Sequence, residues 1–288
     1  MHVTPTCPAP LATLSQPAYK IPAFACDTHA HVIADDLCRY PFILGRSYTP
    51  PSASEDHYIQ MLNTLRLDRG VLIQISVYGT DNRFLLEVLK RHPERLRGVA
   101  VVEPSIHDNA LDAMHDAGVR GIRVNTMLRG GVGHEHLEVL AKKIKRLGWH
   151  IQFLINANEL PLLLPRLRKL PVPCVLDHMG SLPANADPDA LEFQALRDLV
   201  RNYGWWVKLS GAYRMGLPLN RLDESTVVAR SIYETCPERM LWGSDWPHVN
   251  VEDMPDTGKL LTLLAQWVPD ERMREQILVR NPAKLYGF

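Results

Sequence analysis

Short apolar runs recur along the chain, and after nearly every one comes a polar turn and then a stretch in which apolar residues fall three or four apart. The first rhythm is that of a buried strand, the second that of a helix lying on it. Residues 70–76, Gly-Val-Leu-Ile-Gln-Ile-Ser, are almost continuously apolar, which marks a strand covered on both faces in a parallel sheet. Runs of the same kind at 27–32, 96–102, 119–125, 149–155, 172–176, 205–210 and 239–248 bring the predicted strands to eight. Helical spacing predicts helices over 54–67, 81–92, 109–117, 134–147, 188–203 and 224–236, another around Pro161 and Pro165, and two more before Phe288. Local chemistry marks their ends: Glu55 and Asp56 put negative charge in a first turn, Asp81 can cap a helix, and Gly118 and Gly148 stop two others. Pro161 suits a helix start, whereas Pro165 predicts a kink or a later start.

Eight buried strands, each followed by a helix at a spacing of about 25 to 45 residues, have the rhythm of a closed barrel rather than an open sheet. The predicted fold class is α/β: a single TIM-like (β/α)8 barrel over residues 23–288 with extra C-terminal helices, preceded by a flexible N-terminal arm at 1–22. No sequence repeat of 20 to 50 residues runs through it, which disfavours a solenoid.

Charge narrows the partners. Lys plus Arg equals Asp plus Glu at 32 each, with no basic run, so neither nucleic acid nor an anionic membrane is expected as the main partner. The five cysteines, Cys7, Cys26, Cys38, Cys174 and Cys236, are scattered and lack C-x-x-C spacing, so they read as reduced thiols rather than a disulfide framework or a cysteine zinc site. The arm carries five prolines but no continuous apolar run, and no segment approaches transmembrane length. A cytoplasmic protein is expected, monomeric or homodimeric, since apolar helix faces serve either state.

Candidate chemistry begins at Asp27-Thr28-His29-Ala30-His31. In an extended strand the alternation puts Asp27, His29 and His31 on one face, and two imidazoles side by side can hold a metal, polarise a carbonyl or move a proton. His134 and His136 have the same spacing but fall at the start of a predicted helix, where neighbours two apart diverge, so these are expected to face solvent. In a (β/α)8 barrel reactive groups gather at the C-terminal ends of the strands. There the sequence places His29 and His31 at the end of strand one, Ser76 at the end of strand two, Arg123 and Asn125 at the end of strand four, His178 at the end of strand six and Asp245 at the end of strand eight. Tyr48, Arg129 and Arg214 follow in the loops after strands one, four and seven. An arginine inside a buried strand needs a partner; for Arg123 and Arg214 this is either a substrate carboxylate or an internal acid such as Glu103. Gly130-Gly131-Val132-Gly133 does not complete a dinucleotide-binding pattern, and Ser244, between Gly243 and Asp245, is not in a Gly-x-Ser-x-Gly elbow.

Three motifs, Asp27-Thr28-His29-Ala30-His31, Leu176-Asp177-His178-Met179-Gly180 and Trp242-Gly243-Ser244-Asp245-Trp246-Pro247-His248, resemble those of the amidohydrolase superfamily, and within it the 2-pyrone-4,6-dicarboxylate lactonases and related lactone hydrolases. The likeness runs through nearly the whole chain after the arm, including Tyr48-Thr49-Pro50, Gly121-Ile122-Arg123-Val124-Asn125 and Asn281-Pro282. What the resemblance implies is hydrolysis of a carboxylated lactone, a small anionic substrate. Asp245 would be the base for water, and His29, His31 and His178 would polarise the carbonyl and the leaving oxygen. Arg123, Arg129 and Arg214 would bind substrate carboxylates, with Tyr48, Ser76 and His248 as polar helpers. These roles suit the chemistry, because ring opening needs a base, donors for an oxyanion and an acid for the departing oxygen, while guanidinium matches carboxylate in a planar fork. Three arginines in one mouth point to more than one negative charge on the substrate.

Most members of the superfamily bind Zn²⁺ or a similar ion, and His29, His31, His178 and Asp245 would supply its ligands. Residues 151–158 contain no His, Lys or Glu, so the ligand that many relatives carry in strand five is missing. The resemblance to the pyrone lactonases therefore implies no metal cofactor, with zinc as the alternative. Leu154 stands where those lactonases carry an aromatic hydroxyl, which leaves the ring open: a sulfomuconolactone, a sugar-acid lactone undergoing isomerisation, or another dicarboxylate lactone. A metal-dependent decarboxylase of the same superfamily, and a barrel that binds a small anion without catalysis, are the competing readings.

Overall fold

The computed structural model describes residues 4–288. Eight parallel strands follow one another in chain order in one sheet: β1 (Cys26–Ala30), β2 (Arg69–Ile73), β3 (Leu96–Ala100), β4 (Val119–Asn125), β5 (His150–Leu154), β6 (Cys174–Leu176), β7 (Trp206–Leu209) and β8 (Met240–Trp242). Around them lie α1 (Glu55–Thr64), α2 (Arg83–Arg91), α3 (Asp108–Asp116), α4 (Leu137–Lys145), α5 (Leu160–Leu167), α6 (Leu191–Tyr203), α7 (Thr226–Tyr233) and α8 (Thr257–Trp267). The ring closes through the residues beside β8: Thr28 Oγ1 donates to the Trp242 carbonyl (2.8 Å), the Asp245 amide to the His29 carbonyl (2.7 Å), and the His31 amide to the Trp246 carbonyl (2.8 Å). This is the predicted barrel, with the predicted extra helices at its end: α9 (Glu271–Glu275) continues through a π turn at Gln276–Arg280 into α10 (Asn281–Tyr286).

Apolar residues fill the lower interior. Cys26, Val71, Ile73, Val99, Val175, Trp206 and Leu241 form one buried cluster, and Tyr286 of α10 completes it, so the last helix plugs the bottom of the barrel. The larger core lies between the sheet and the helices. Residues 4–22 lie along the barrel: Thr6 bridges Thr49, Ser15 bonds the Asp256 carboxylate through its amide and its hydroxyl, and Tyr19 donates to the Leu261 carbonyl (3.2 Å). No helix among the described residues is long and apolar enough to cross a membrane.

Several elements are shorter than the apolar pattern implies, because the chain turns as soon as it leaves the sheet. Ser76 opens a single 3-10 turn after β2, His178 one after β6, and Ala212–Arg214 form another after β7. The predicted strand 239–248 ends at Trp242, since Asp245 (φ 63°) and His248 (φ 62°) adopt left-handed backbone that no strand can continue. Helix α4 begins at Leu137 rather than at residue 134, after the glycine-rich loop. Helix α5 starts at Leu160 and runs through Pro165, the sixth of its eight residues, which corrects the expected later start; the ring there removes one amide donor. In β1 the alternation also fails. Pairing with β2 slips between Asp27 and Ala30, so Asp27 turns outward to Tyr58 of α1 and to Ser244 instead of sharing a face with His29 and His31.

Gly243 follows β8 where it meets β1, and a Cβ there would stand 2.5 Å from His29 Cβ and 2.9 Å from its backbone nitrogen. Gly243→Ala should therefore open the seam of the barrel and cost about 1–3 kcal/mol, the usual range for overpacking. Urea titration checks this, and an unchanged midpoint would contradict it. A second expectation concerns acid. Burial depresses six imidazoles, His29 and His115 among them, taking His31 and His178 to about 4 and His150 and His248 to about 3 from an ordinary 6.5. They are neutral when folded, so the stability they carry is complete above about pH 6.5 and is lost as the pH falls toward 4, where the unfolded chain takes up their protons. Asp27, raised to about 6 by burial against the pull of its Ser244 hydrogen bonds, works in the opposite sense but is a single group. The urea midpoint should fall steadily from pH 7 to pH 5; a flat profile would show that these rings are not buried neutral.

Candidate active site

A cavity of about 350 Å³ opens at the C-terminal ends of the strands. Asp245 lies at its floor with three imidazoles turned toward it: His29 Nε2 and His31 Nε2 are 3.7 and 3.8 Å from Oδ1, and His178 Nε2 is 3.6 Å from Oδ2. These separations are too long for hydrogen bonds, so each leaves a place for an atom between. Asp245 and His178 (φ 49°) both sit in left-handed backbone, strain of a kind that concentrates at functional sites.

The ring partners set what each imidazole presents. His31 Nδ1 lies 2.7 Å from the Ile73 carbonyl and must donate to it, which leaves Nε2 as a lone pair facing Asp245. His178 Nδ1 meets the Ser210 hydroxyl at 3.0 Å. His29 Nδ1 lies between opposed neighbours, Asp177 Oδ1 at 3.1 Å and Lys208 Nζ at 3.2 Å, while its Nε2 is buried without a hydrogen bond. His29 is fully buried beneath the cavity and does not line it.

Asp245 is held hard from the other side. Its Oδ2 accepts from Tyr213 Oη and from Arg214 Nε, both at 2.6 Å. Burial alone would raise its pKa, but the Arg214 charge holds it well below the usual carboxylate range. Asp177 has the same character one layer down. It receives Arg123 Nε and Nη2 (3.2 and 3.1 Å), Gln152 Nε2 (3.0 Å) and His29, with Lys208 Nζ at 3.4 Å. Burial lowers the Lys208 ammonium to about 8, with Asp177 opposing the shift.

The residues expected from sequence separate into groups. His31, Tyr48, Arg123, His178, Arg214 and Asp245 line the cavity. Ser76 supports Tyr48 from behind, hydroxyl to hydroxyl at 3.0 Å. His248 is buried behind Tyr213, its ring between Tyr213 Oη (3.2 Å) and Thr257 Oγ1 (2.8 Å), and does not reach the cavity wall. Arg129 is exposed and outside the lining, its amide bonded to Ser47 Oγ. Arg123 and Arg214 do have internal acids, but these are Asp177 and Asp245; Glu103 is exposed. His136 is exposed, as expected, whereas His134 is half-buried with its carbonyl accepting from Arg166 Nη2 (2.9 Å); both precede α4 instead of opening it, and neither lines the cavity. Sequence reasoning gave no role to Lys208, Gln152, Asp177 or Tyr213. A lysine and a glutamine inside otherwise apolar strands were the available signal for the first two.

Two groups have the spacing of a metal site, His29 with His31 and Asp245, and His29 with Asp177 and His178; within each group the ligand atoms lie within 4.8 Å of one another. The first fits a divalent ion better. It offers the unpartnered His29 Nε2, the His31 lone pair and one carboxylate oxygen, and both histidines have the outer hydrogen bonds typical of metal-bound imidazole.

A family model described as Amidohydrolase matches residues 26–288. The chain is 35% identical over 287 residues to the 2-pyrone-4,6-dicarboxylate hydrolase of Comamonas testosteroni, covering 96% of this chain and 94% of that protein. It is 33% identical over 289 residues to a 4-sulfomuconolactone hydrolase of Rhizobium radiobacter, covering 98% and 96%. Among solved structures, an Agrobacterium tumefaciens protein in its apo form superposes with a TM-score of 0.87 at 27% identity, covering 94% of this chain and 98% of that one. With the match running from β1 to the last residue and the relatives aligned over nearly their whole length, the chain belongs to the amidohydrolase family.

Proposed function

We propose that this enzyme hydrolyses a lactone whose ring carries carboxylate, with water attacking the ester carbonyl at the floor of the cavity. The observation that carries the reading is the meeting of one carboxylate and three imidazoles under two guanidinium edges, in a cavity the size of a small ring. The relatives named as hydrolases of 2-pyrone-4,6-dicarboxylate and 4-sulfomuconolactone support the same class of reaction.

Asp245 Oδ1 and His31 Nε2 are both acceptors, so a water between them directs its protons to them and its lone pair to the substrate. As the new C–O bond forms, Asp245 takes one proton; when the ring C–O bond breaks, that proton goes to the departing oxygen, and a hydroxy acid or its enol leaves. His178, with Ser210 on its other nitrogen, polarises the carbonyl. His29, out of reach of substrate, positions Asp245. Arg123 and Arg214 bind carboxylate. In the free enzyme the Arg214 ion pair makes Asp245 a weak base. A substrate carboxylate competing for that guanidinium weakens the pair and raises the proton affinity of Asp245 at the moment it is needed.

His29, His31 and Asp245 would hold a divalent ion, and such an ion, when bound, supplies Lewis-acid polarisation and a more acidic water. The proposed reaction relies on the chain's own groups, because each carboxylate of the site already has a cationic partner.

A pH-indicator screen of lactones bearing none, one or two carboxylates tests the reaction directly; acid release from none of them would overturn it. Asp245→Asn should lower kcat by about 10²–10⁴-fold, the usual share of a general base, while carboxylate ligands still bind. Near-normal turnover in this variant would place the base elsewhere. Dialysis against a chelator should leave activity intact; loss that added zinc restores would transfer the polarising role to a metal.

A further inference from the structure

The charges around the site are nearly closed on themselves. Three cations, Arg123, Lys208 and Arg214, stand against three acids, Asp27, Asp177 and Asp245, each hydrogen-bonded or ion-paired. Arg123 commits Nε and Nη2 to Asp177, and Arg214 commits Nε to Asp245 and Nη2 to the Val249 carbonyl (3.0 Å). Each keeps only Nη1 free of hydrogen bonds among the described residues. Both guanidinium groups line the one cavity, together with Tyr48, His178 and Asp245. No other lysine or arginine lines the cavity among the described residues, and Arg129 stands outside it. Much of the remaining wall is apolar, with Met127, Leu154, Met215 and Val249 in the lining and Leu154 only 7% exposed at the end of β5.

Resting on the lactone reading of the site, we propose that the substrate carries one carboxylate, seated between the Nη1 edges of Arg123 and Arg214, and an uncharged apolar substituent that lies against Met127, Leu154 and Met215. A first carboxylate has two charge-assisted donors waiting for it. A second would enter a wall without a cation, and burying an unpaired charge there is strongly unfavourable. The doubly charged substrate expected from three arginines in one mouth thus loses its third arginine and the neutral wall argues against its second charge.

Calorimetric titration of the full-length protein with 3-propylbenzoate and with isophthalate tests this without requiring turnover. The two probes share a benzoate and differ in whether the second substituent is apolar or charged. The expected result is binding of 3-propylbenzoate at least about tenfold tighter. Equal or tighter binding of isophthalate, or no binding of either at millimolar concentration, would overturn the proposal. Leu154→Arg, checked for folding by circular dichroism, should shift the preference toward isophthalate; a folded variant with the original order would remove Leu154 from the seat and overturn the placement. The lactone screen reports separately on the reaction. If no lactone is opened while 3-propylbenzoate keeps its advantage, the hydrolytic reading fails and the charge selectivity stands.

Discussion

Everything at the centre of this barrel depends on a single buried carboxylate. Asp177 is fully buried, yet it gathers His29 of β1, Arg123 of β4, Gln152 of β5 and Lys208 of β7 around the end of β6. An isolated carboxylate in such a place would take up a proton; here the neighbouring charges outweigh burial and keep it ionised. The arrangement cross-links strands that are distant in sequence, and it fixes the ring of His29 and the fork of Arg123 in orientation. His29 in turn lies beneath Asp245, and Arg123 stands in the wall of the same cavity. Polar networks inside a protein are stable only when every member is satisfied, and this one is nearly so, with His29 Nε2 the exception. That exception points at Asp245 on the cavity floor.

The architecture was legible in the sequence because barrel strands covered on both faces need continuous apolar runs, and eight such runs with intervening helices admit few other folds. The convergence of His29, His31, His178 and Asp245 was legible too, since all lie at or just past strand ends, where the fold gathers reactive groups. What was hidden depends on pairing. No pattern in residues 26–30 reveals the slip in register that sends Asp27 outward while His29 turns in. Nor does the sequence say which acid neutralises which arginine, because Asp177 and Asp245 lie 54 and 31 positions from Arg123 and Arg214. Lys208 was overlooked for a related reason: a lysine between Val207 and Leu209 reads as an interruption until its partners Asp177, Gln152 and His29 are seen around it.

The layering of the barrel follows from the same balance. Below, aliphatic residues and Tyr286 pack without polar partners, apart from His150, whose two ring nitrogens are buried and unbonded against the Tyr286 ring. Above, strands four, five and seven exchange an apolar inward residue for one that hydrogen-bonds, and the lattice of ion pairs begins. The transition falls near the middle of strands four, five and seven, at Arg123, Gln152 and Lys208. The lower layer supplies stability, and the upper one trades it for preorganised charge.

The contact between Arg214 and Asp245 has a bearing on selectivity that shape alone would not provide. On the proposed reaction, an ester without a negative group would have nothing with which to draw the guanidinium away, so it would meet a dormant carboxylate even if it fitted the cavity. In the proposed reaction one side chain would thereby discriminate twice, once in holding the ligand and again in arming the base, and an ordinary ester that wandered in would find the trigger locked.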